Sequence, residues 1–121
     1  MKNFEKLKEN HEFRRAYARG KSFVTPFFVA YVLKNRTGSL RFGITAGKKI
    51  GGAVQRNRAK RIITAAFRSV SEYIPTGYDL VIVARTRIFS VKSTAVAALL
   101  KKQLYGAKLW NEPNKNEQIA D

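Results

Sequence analysis

From Phe13 to Ser71 the chain carries no carboxylate, yet this stretch holds 14 of its 24 basic residues. The acids lie outside it, at Glu5, Glu9, Glu12, Glu72, Asp79, Glu112, Glu117 and Asp121, and the whole chain carries +16 at pH 7. A folded domain with so much uncompensated charge repels itself, so the pattern implies a polyanionic partner, with nucleic acid the first choice. An anionic membrane surface, or basicity that serves solubility alone, are the other readings of the same charge.

A chain of 121 residues with 45% hydrophobic content fits one domain with a modest core. Residues 1–110 are expected to form it, and 111–121 to be a polar, flexible tail. No run approaches the roughly 18 apolar residues of a membrane helix. Met1-Lys2-Asn3-Phe4-Glu5 has charge but no apolar stretch behind it, so no secretory signal is expected. There is no cysteine, which excludes disulfides and thiolate metal sites and makes a cytoplasmic protein the plainest reading.

The hydrophobic periods predict an α+β order. Asn10 can cap a short helix over His11 to Arg19, with Phe13 and Tyr17 on one stripe and Gly20 suited to a left-handed end. Ser22 to Leu33 reads as one strand, with Phe27, Val29, Tyr31 and Leu33 on one face and Phe28, Ala30 and Val32 on the other. The turn cluster Asn35-Arg36-Thr37-Gly38 then leads to a strand over Ser39 to Thr45, and a hairpin between the two is the natural pairing. Lys48 to Gly52 reads as a third short strand or a loop. Ala59, Ile62, Ile63, Ala66, Phe67 and Val70 follow the spacing of a core-facing helix, ended by Pro75 and Gly77. Tyr78 to Arg85 contains the run Leu80-Val81-Ile82-Val83-Ala84, typical of a strand buried on both faces. Ser90 or Ser93 can cap a last helix with Val96, Leu99, Leu100, Leu104 and Ala107 inside.

On the long helix, Asn57, Arg61, Thr64 and Arg68 fall opposite the apolar stripe, Arg58 and Lys60 flank them, and Arg56 sits near the first turn. A Gly51-Gly52 loop and the pair Lys48-Lys49 precede it. Free N–H groups and the positive end of the dipole favour phosphate there, and arginine forks match phosphate oxygens in pairs. The blander readings are a solvated charged face, which the lack of interleaved acids disfavours, and a helix lying on a membrane, which the buried strand that follows disfavours. The aromatic residues Phe13, Tyr17, Phe27 and Tyr31 could line a groove for single-stranded bases, where stacking contributes ~1–3 kcal/mol per base. Aromatic residues at such spacing more often belong to the core. His11 is the one histidine and stands among charged residues, where a solvated side chain is the plainer role. No pair of carboxylates, metal-ligand cluster or phosphate-loop signature adjoins the basic region, so no catalytic residue is assigned and a protein-side nuclease site is unsupported.

These residues resemble a known family, the protein component of bacterial ribonuclease P, from about Leu7 to Leu104. The likeness rests on Phe13-Arg14-Arg15-Ala16-Tyr17, Gly20-Lys21-Ser22, Arg41-Phe42-Gly43-Ile44, Lys48-Lys49 with Gly51, and Ala53-Val54. It continues through Arg56-Asn57-Arg58, Lys60-Arg61, Phe67-Arg68, Asp79 and Ala84-Arg85. The resemblance implies a protein that partners a catalytic RNA and precursor tRNA, contributes no catalytic side chain, and leaves Mg²⁺ to serve the RNA's chemistry. No cofactor of its own, small-molecule substrate or membrane partner is implied. Arg56, Asn57, Arg58, Lys60 and Arg61, with Lys48 and Lys49 nearby, would lie on the catalytic RNA. Phe13, Tyr17 and Tyr31 would line a cleft for the single-stranded 5′ leader. The residue reading adds Arg68 to the first surface and Phe27 to the second. The implied fold is an α-β-β-β-α-β-α sandwich with a four-stranded sheet and a left-handed β-α-β crossover, like the second domain of ribosomal protein S5, against the general right-handed rule. Gly47 stands where the family commonly has serine, and Thr64-Ala65 where it often has an Arg-Glu pair. The other class of function open to such a chain is a ribosomal or ribosome-assembly RNA binder with no associated catalysis.

Overall fold

The apolar run at 80–84 takes the middle of the sheet. In the computed structural model, which describes residues 4–112, strand β5 (Tyr78–Ala84) has neighbours on both sides and buries Leu80, Val81, Ile82 and Ala84. Around it stand β1 (Glu5–Lys6), β2 (Lys21–Val24), β3 (Phe28–Lys34) and β4 (Arg41–Thr45), in the order β1-β4-β5-β3-β2. The β1–β4 and β4–β5 pairs are parallel, whereas β5–β3 and β3–β2 are antiparallel. Helices α1 (Asn10–Arg19), α2 (Ala53–Val70) and α3 (Ser93–Gly106) complete the α+β order. No helix among the described residues is long and apolar enough to cross a membrane.

Three expectations are corrected. The sheet has five strands, not four, because Glu5 and Lys6 add to the free edge of β4 through Glu5 N–H to Leu40 O and Leu7 N–H to Phe42 O, both 2.9 Å. The single strand over Ser22 to Leu33 is two, broken at Thr25-Pro26. Proline has no N–H for a ladder, and Thr25 Oγ1 closes the turn by accepting from Phe28 N at 2.9 Å. Strands β3 and β4 do not form a hairpin, because β5 lies between them and pairs with both. The 35–39 turn straddles the start of β5: Asn35 N–H reaches Gly77 O at 2.8 Å, and Gly77 N–H reaches Ser39 O at 3.0 Å. Of the two readings of Lys48 to Gly52 the structure takes the loop, with a single 3₁₀ turn at Lys48–Ile50.

The helix ends also differ in detail. Glu9, not Asn10, precedes α1, and its N–H is bonded by Glu12 Oε1 at 3.1 Å. Gly20 is extended rather than left-handed (φ −72°), but a Cβ there would lie 2.4 Å from Ala16 O. Neither Ser90 nor Ser93 caps α3, which starts after Lys92 without a side-chain cap.

Alternation along the strands creates two unequal layers. One sheet face carries Phe28, Ala30, Val32, Phe42, Leu80 and Ile82, and packs on α2 and α3 through Ala59, Ile63, Phe67, Leu100 and Leu104. Phe42 and Phe67 stack with ring centres 3.8 Å apart. Among the described residues the other face carries α1 alone, through a small core of Leu7, Ala16 and Val81 with Phe13 and Tyr31 against it. The helical stripes are as expected, with Ile62, Leu99 and Ala107 half-buried at their margins. Of the expected tail, Asn111 and Glu112 are described and Asn111 N–H bonds Tyr73 O at 2.7 Å; 113–121 lie outside the described residues.

Candidate nucleic-acid interface

Helix α2 turns its apolar stripe to the sheet, which forces its other side outwards. Asn57, Arg58, Lys60, Arg61 and Arg68 are exposed there, and Thr64 is half-buried. Among the described residues every ion pair involves Arg15 or Arg41, so none of these cations meets a carboxylate. Two are steadied by rings: Arg58 lies 5.2 Å from the centre of Phe89, and Arg68 6.0 Å from that of Phe4. Arg56 is half-buried and donates to Gly51 O at 2.8 Å, bracing the loop that enters the helix. Gly51 itself has φ 137°, which L side chains rarely adopt.

No side chain caps the first turn of α2 and no acid stands in it, so its leading N–H groups face outwards beside Lys48 and Lys49. Both lysines are exposed. They border a cavity of about 450 Å³ that runs past Thr45, Val83 and Arg85, at the carboxyl ends of the adjacent parallel strands β4 and β5. This cavity leads from the lysines to the half-uncovered face of the sheet.

On that face, α1 covers the rows of Val81 and Gly43 and leaves Val29, Val83 and Thr45 half-buried. Tyr17 and Tyr31 meet edge to face at 5.1 Å, and the Tyr17 hydroxyl shares a hydrogen bond with Thr45 Oγ1. Phe13 lies over Gly43 so closely that a Cβ there would come 2.6 Å from its ring. The structure thus brings Phe13, Tyr17 and Tyr31 together along α1. Phe27 stands apart, beyond the start of β3, where it packs on the main core under Arg87, 5.7 Å from its ring centre.

Sequence reasoning missed the group that seats α1. Asp79 is fully buried beneath the helix, and Arg41 holds it with two bonds, Nε to Oδ1 at 2.7 Å and a terminal nitrogen to Oδ2 at 2.8 Å. Asn35 Nδ2 donates to Oδ1 at 2.8 Å, Arg15 approaches Oδ2 at 3.5 Å, and the third Arg41 nitrogen bonds Glu12 Oε2 at 2.5 Å. Burial pushes Asp79 up, but Arg41, Asn35 and Arg15 outweigh it and hold the carboxyl below its ordinary range. Burial likewise raises Glu12, yet backbone N–H bonds and Arg41 bring it below its ordinary value. Bonding to Asp79 raises Arg41 in turn. The signal was available: a carboxylate opening a fully apolar run needs a buried partner.

A mixed sheet carrying an unpaired basic helix on one side and an aromatic cleft on the other defines a small RNA-binding α+β protein. The comparisons with known proteins are specific. The ribonuclease P family matches residues 1–108. The ribonuclease P protein component of Clostridium beijerinckii is 39% identical over 96% of this chain and 95% of its own length. The solved RNase P protein of Staphylococcus aureus superposes with a TM-score of 0.75 at 31% identity, covering 90% of this chain and 100% of that one. That of Thermotoga maritima gives 0.71 at 31% identity, covering 83% and 94%. The chain belongs to the ribonuclease P protein family, and with it carries the role of an RNA-binding ribonuclease P subunit.

Proposed function

We propose that this chain is the non-catalytic subunit of a ribonuclease P holoenzyme and promotes removal of the 5′ leader from precursor tRNA. The observation that carries the reading is the division of charge: Glu12 and Asp79, the two carboxylates at the seat of α1, are engaged by Arg41 and Arg15, whereas the α2 cations have no acidic partner among the described residues. Asn57, Arg58, Lys60, Arg61 and Arg68, with Lys48, Lys49 and Arg56 at the head of the helix, take the phosphates of the catalytic RNA. Protein-bound cations then replace ions otherwise needed to hold two RNAs together, which lowers the demand for Mg²⁺. The Mg²⁺ serves the RNA, and the protein holds no cofactor of its own.

The cleft beside α1 takes the single-stranded leader. Tyr17 and Tyr31 present ring surface for stacking at one end, Val29 and Val83 form an apolar floor, and Phe27 beneath Arg87 bounds the other end. Phe13 holds the position of α1 through its contact with Gly43. On this reading the crossover from β4 through α2 to β5 is the left-handed one of the S5-like fold, and the protein works in the cytoplasm. The test is reconstitution: purified protein with its ribonuclease P RNA should cleave precursor tRNA at low Mg²⁺, where neither does so alone. Cleavage no faster than that of the RNA alone would reject the reading. In the same assay Lys60→Gln with Arg61→Gln should make the salt dependence of binding to the catalytic RNA shallower by about 1.5 in log–log slope.

A further inference from the structure

Helix α1 leaves a groove on each flank, and the two are built from different residues. The flank beside Tyr17 is aromatic and has been described. The opposite flank borders a cavity of about 510 Å³ between the helix and the 33–37 segment, and no Phe, Tyr or Trp lines it. Arg15 and Arg41 line it but are directed at Asp79. Arg19, Lys34 and Arg36 also line it, are exposed, and meet no carboxylate among the described residues. They come from three elements: the last turn of α1, the end of β3 and the turn after it. That turn is fixed, since Asn35 Oδ1 accepts from both the Thr37 N–H and its hydroxyl at 3.0 Å. Against the five cations of the groove stand Glu12 and the Asp79 behind it, which leaves three positive charges in excess.

We infer that this groove is a second phosphate-binding surface, taking the sugar–phosphate backbone of RNA without reading its bases. The inference rests on the RNA partnership proposed above and adds a site separate from both the basic helix and the aromatic cleft. With the exposed His11 imidazole as its one ring among the described residues, the groove offers bases little to stack on, whereas arginine forks and a lysine suit phosphate oxygens. The backbone can come from the catalytic RNA or from leader nucleotides that run on past the end of α1.

The test replaces Arg19→Gln, Lys34→Gln and Arg36→Gln together; all three side chains are exposed, so the variant keeps the fold. One arm measures affinity for ribonuclease P RNA against salt. The other measures binding of precursor tRNA with long and short leaders to the assembled holoenzyme. Loss of three phosphate contacts should make one of the two slopes shallower by about 2 to 3, so that raising salt from about 50 to about 200 mM weakens binding roughly thirtyfold less. A change in the first arm identifies the catalytic RNA as the source, and a change confined to long leaders identifies the leader. Lys92→Gln, Lys102→Gln and Lys108→Gln remove the same charge elsewhere, and an equal effect from that variant would overturn the site. If neither slope moves while Lys60→Gln with Arg61→Gln still flattens the first, the groove is wrong and the basic helix stands. If that pair is silent too, the RNA reading of both surfaces fails.

Discussion

Arg41 and Arg61 are the same kind of residue put to opposite uses. Arg41 lies inside, with every nitrogen committed to Asp79 or Glu12, and it seats α1 on the sheet. Arg61 stands on the outer side of α2 with no partner among the described residues. The difference follows from where the acids are. Glu12 and Asp79 flank the acid-free stretch in sequence, and the fold brings both back to one arginine within it. The remaining cations are left uncompensated, at some cost in self-repulsion that a polyanion relieves. Positive charge here is therefore divided between a structural share, neutralised and buried, and a functional share, exposed and available.

The division is broken most severely at Asp79. Asp79→Ala leaves Arg41 with Glu12 alone and should destabilise the fold by about 3 kcal/mol, as removal of one partner from a buried pair does. Denaturant unfolding measures it. Lys60→Gln with Arg61→Gln should stay within about 1 kcal/mol of wild type in the same experiment, since exposed changes usually fall within ±0.5 kcal/mol each. A large loss there would mean that the outer cations are structural too.

Acid sharpens the same contrast. Asp79 and Glu12 are both held below their ordinary values in the fold. Their contribution is therefore complete above the unfolded carboxyl range of about 3.9 to 4.3, and is lost as pH falls through the lowered folded values. Unfolding free energy should drop on that acid side, with protons taken up on unfolding. In Asp79→Asn the drop should be smaller, because one of the two linked groups has gone. An unchanged acid profile in that variant would remove Asp79 from the cause.

What could be read from residues alone follows their range of interaction. Ala59, Ile63, Ala66, Phe67 and Val70 announce α2 because a helix repeats every 3.6 residues whatever packs on it. The outer cations come with that stripe, so the basic face was legible as well. Strand β5 was legible as an element but not in its place, because an apolar run says that both faces are covered without saying by which neighbours. The insertion of β5 between β3 and β4 is a contact between distant segments, and the local turn at Asn35 suggested the simpler hairpin. Glu5 and Lys6 have no strand pattern at all; they become β1 only because β4 offers them an edge. The seat of α1 was hidden for the same reason, since Arg41 and Asp79 meet across two parallel strands.

The position of α1 gives the next effect in size. Gly43→Ala would set a Cβ 2.6 Å from the Phe13 ring, closer than real contacts allow, and a tight 3.2 Å from Leu7 Cβ. The Phe13 ring is pushed away and tilts α1 with it, at a cost of about 1–2 kcal/mol typical of overpacking. Because Tyr17 moves with the helix, precursor tRNA bearing a leader should lose affinity for the holoenzyme while mature tRNA does not. Equal loss for both substrates would detach Phe13 and Gly43 from the leader cleft.

The smallest effect separates ring from hydroxyl at Tyr17. The Tyr17–Thr45 hydrogen bond lies in an exposed place, so Tyr17→Phe should cost no more than about 1 kcal/mol of stability. The ring over Tyr31 remains, and affinity for leader-bearing substrate should stay near wild type. Tyr17→Ala removes the ring as well and should weaken that substrate by about 1–3 kcal/mol, the range for loss of one stacked base. If Tyr17→Phe were as damaging as Tyr17→Ala, the hydroxyl and its bond to Thr45 would be the working part of the cleft. The aromatic flank of α1 would then hold the leader through a neutral hydroxyl rather than a ring face, and would still differ from the basic flank, whose hold on phosphate is one of charge.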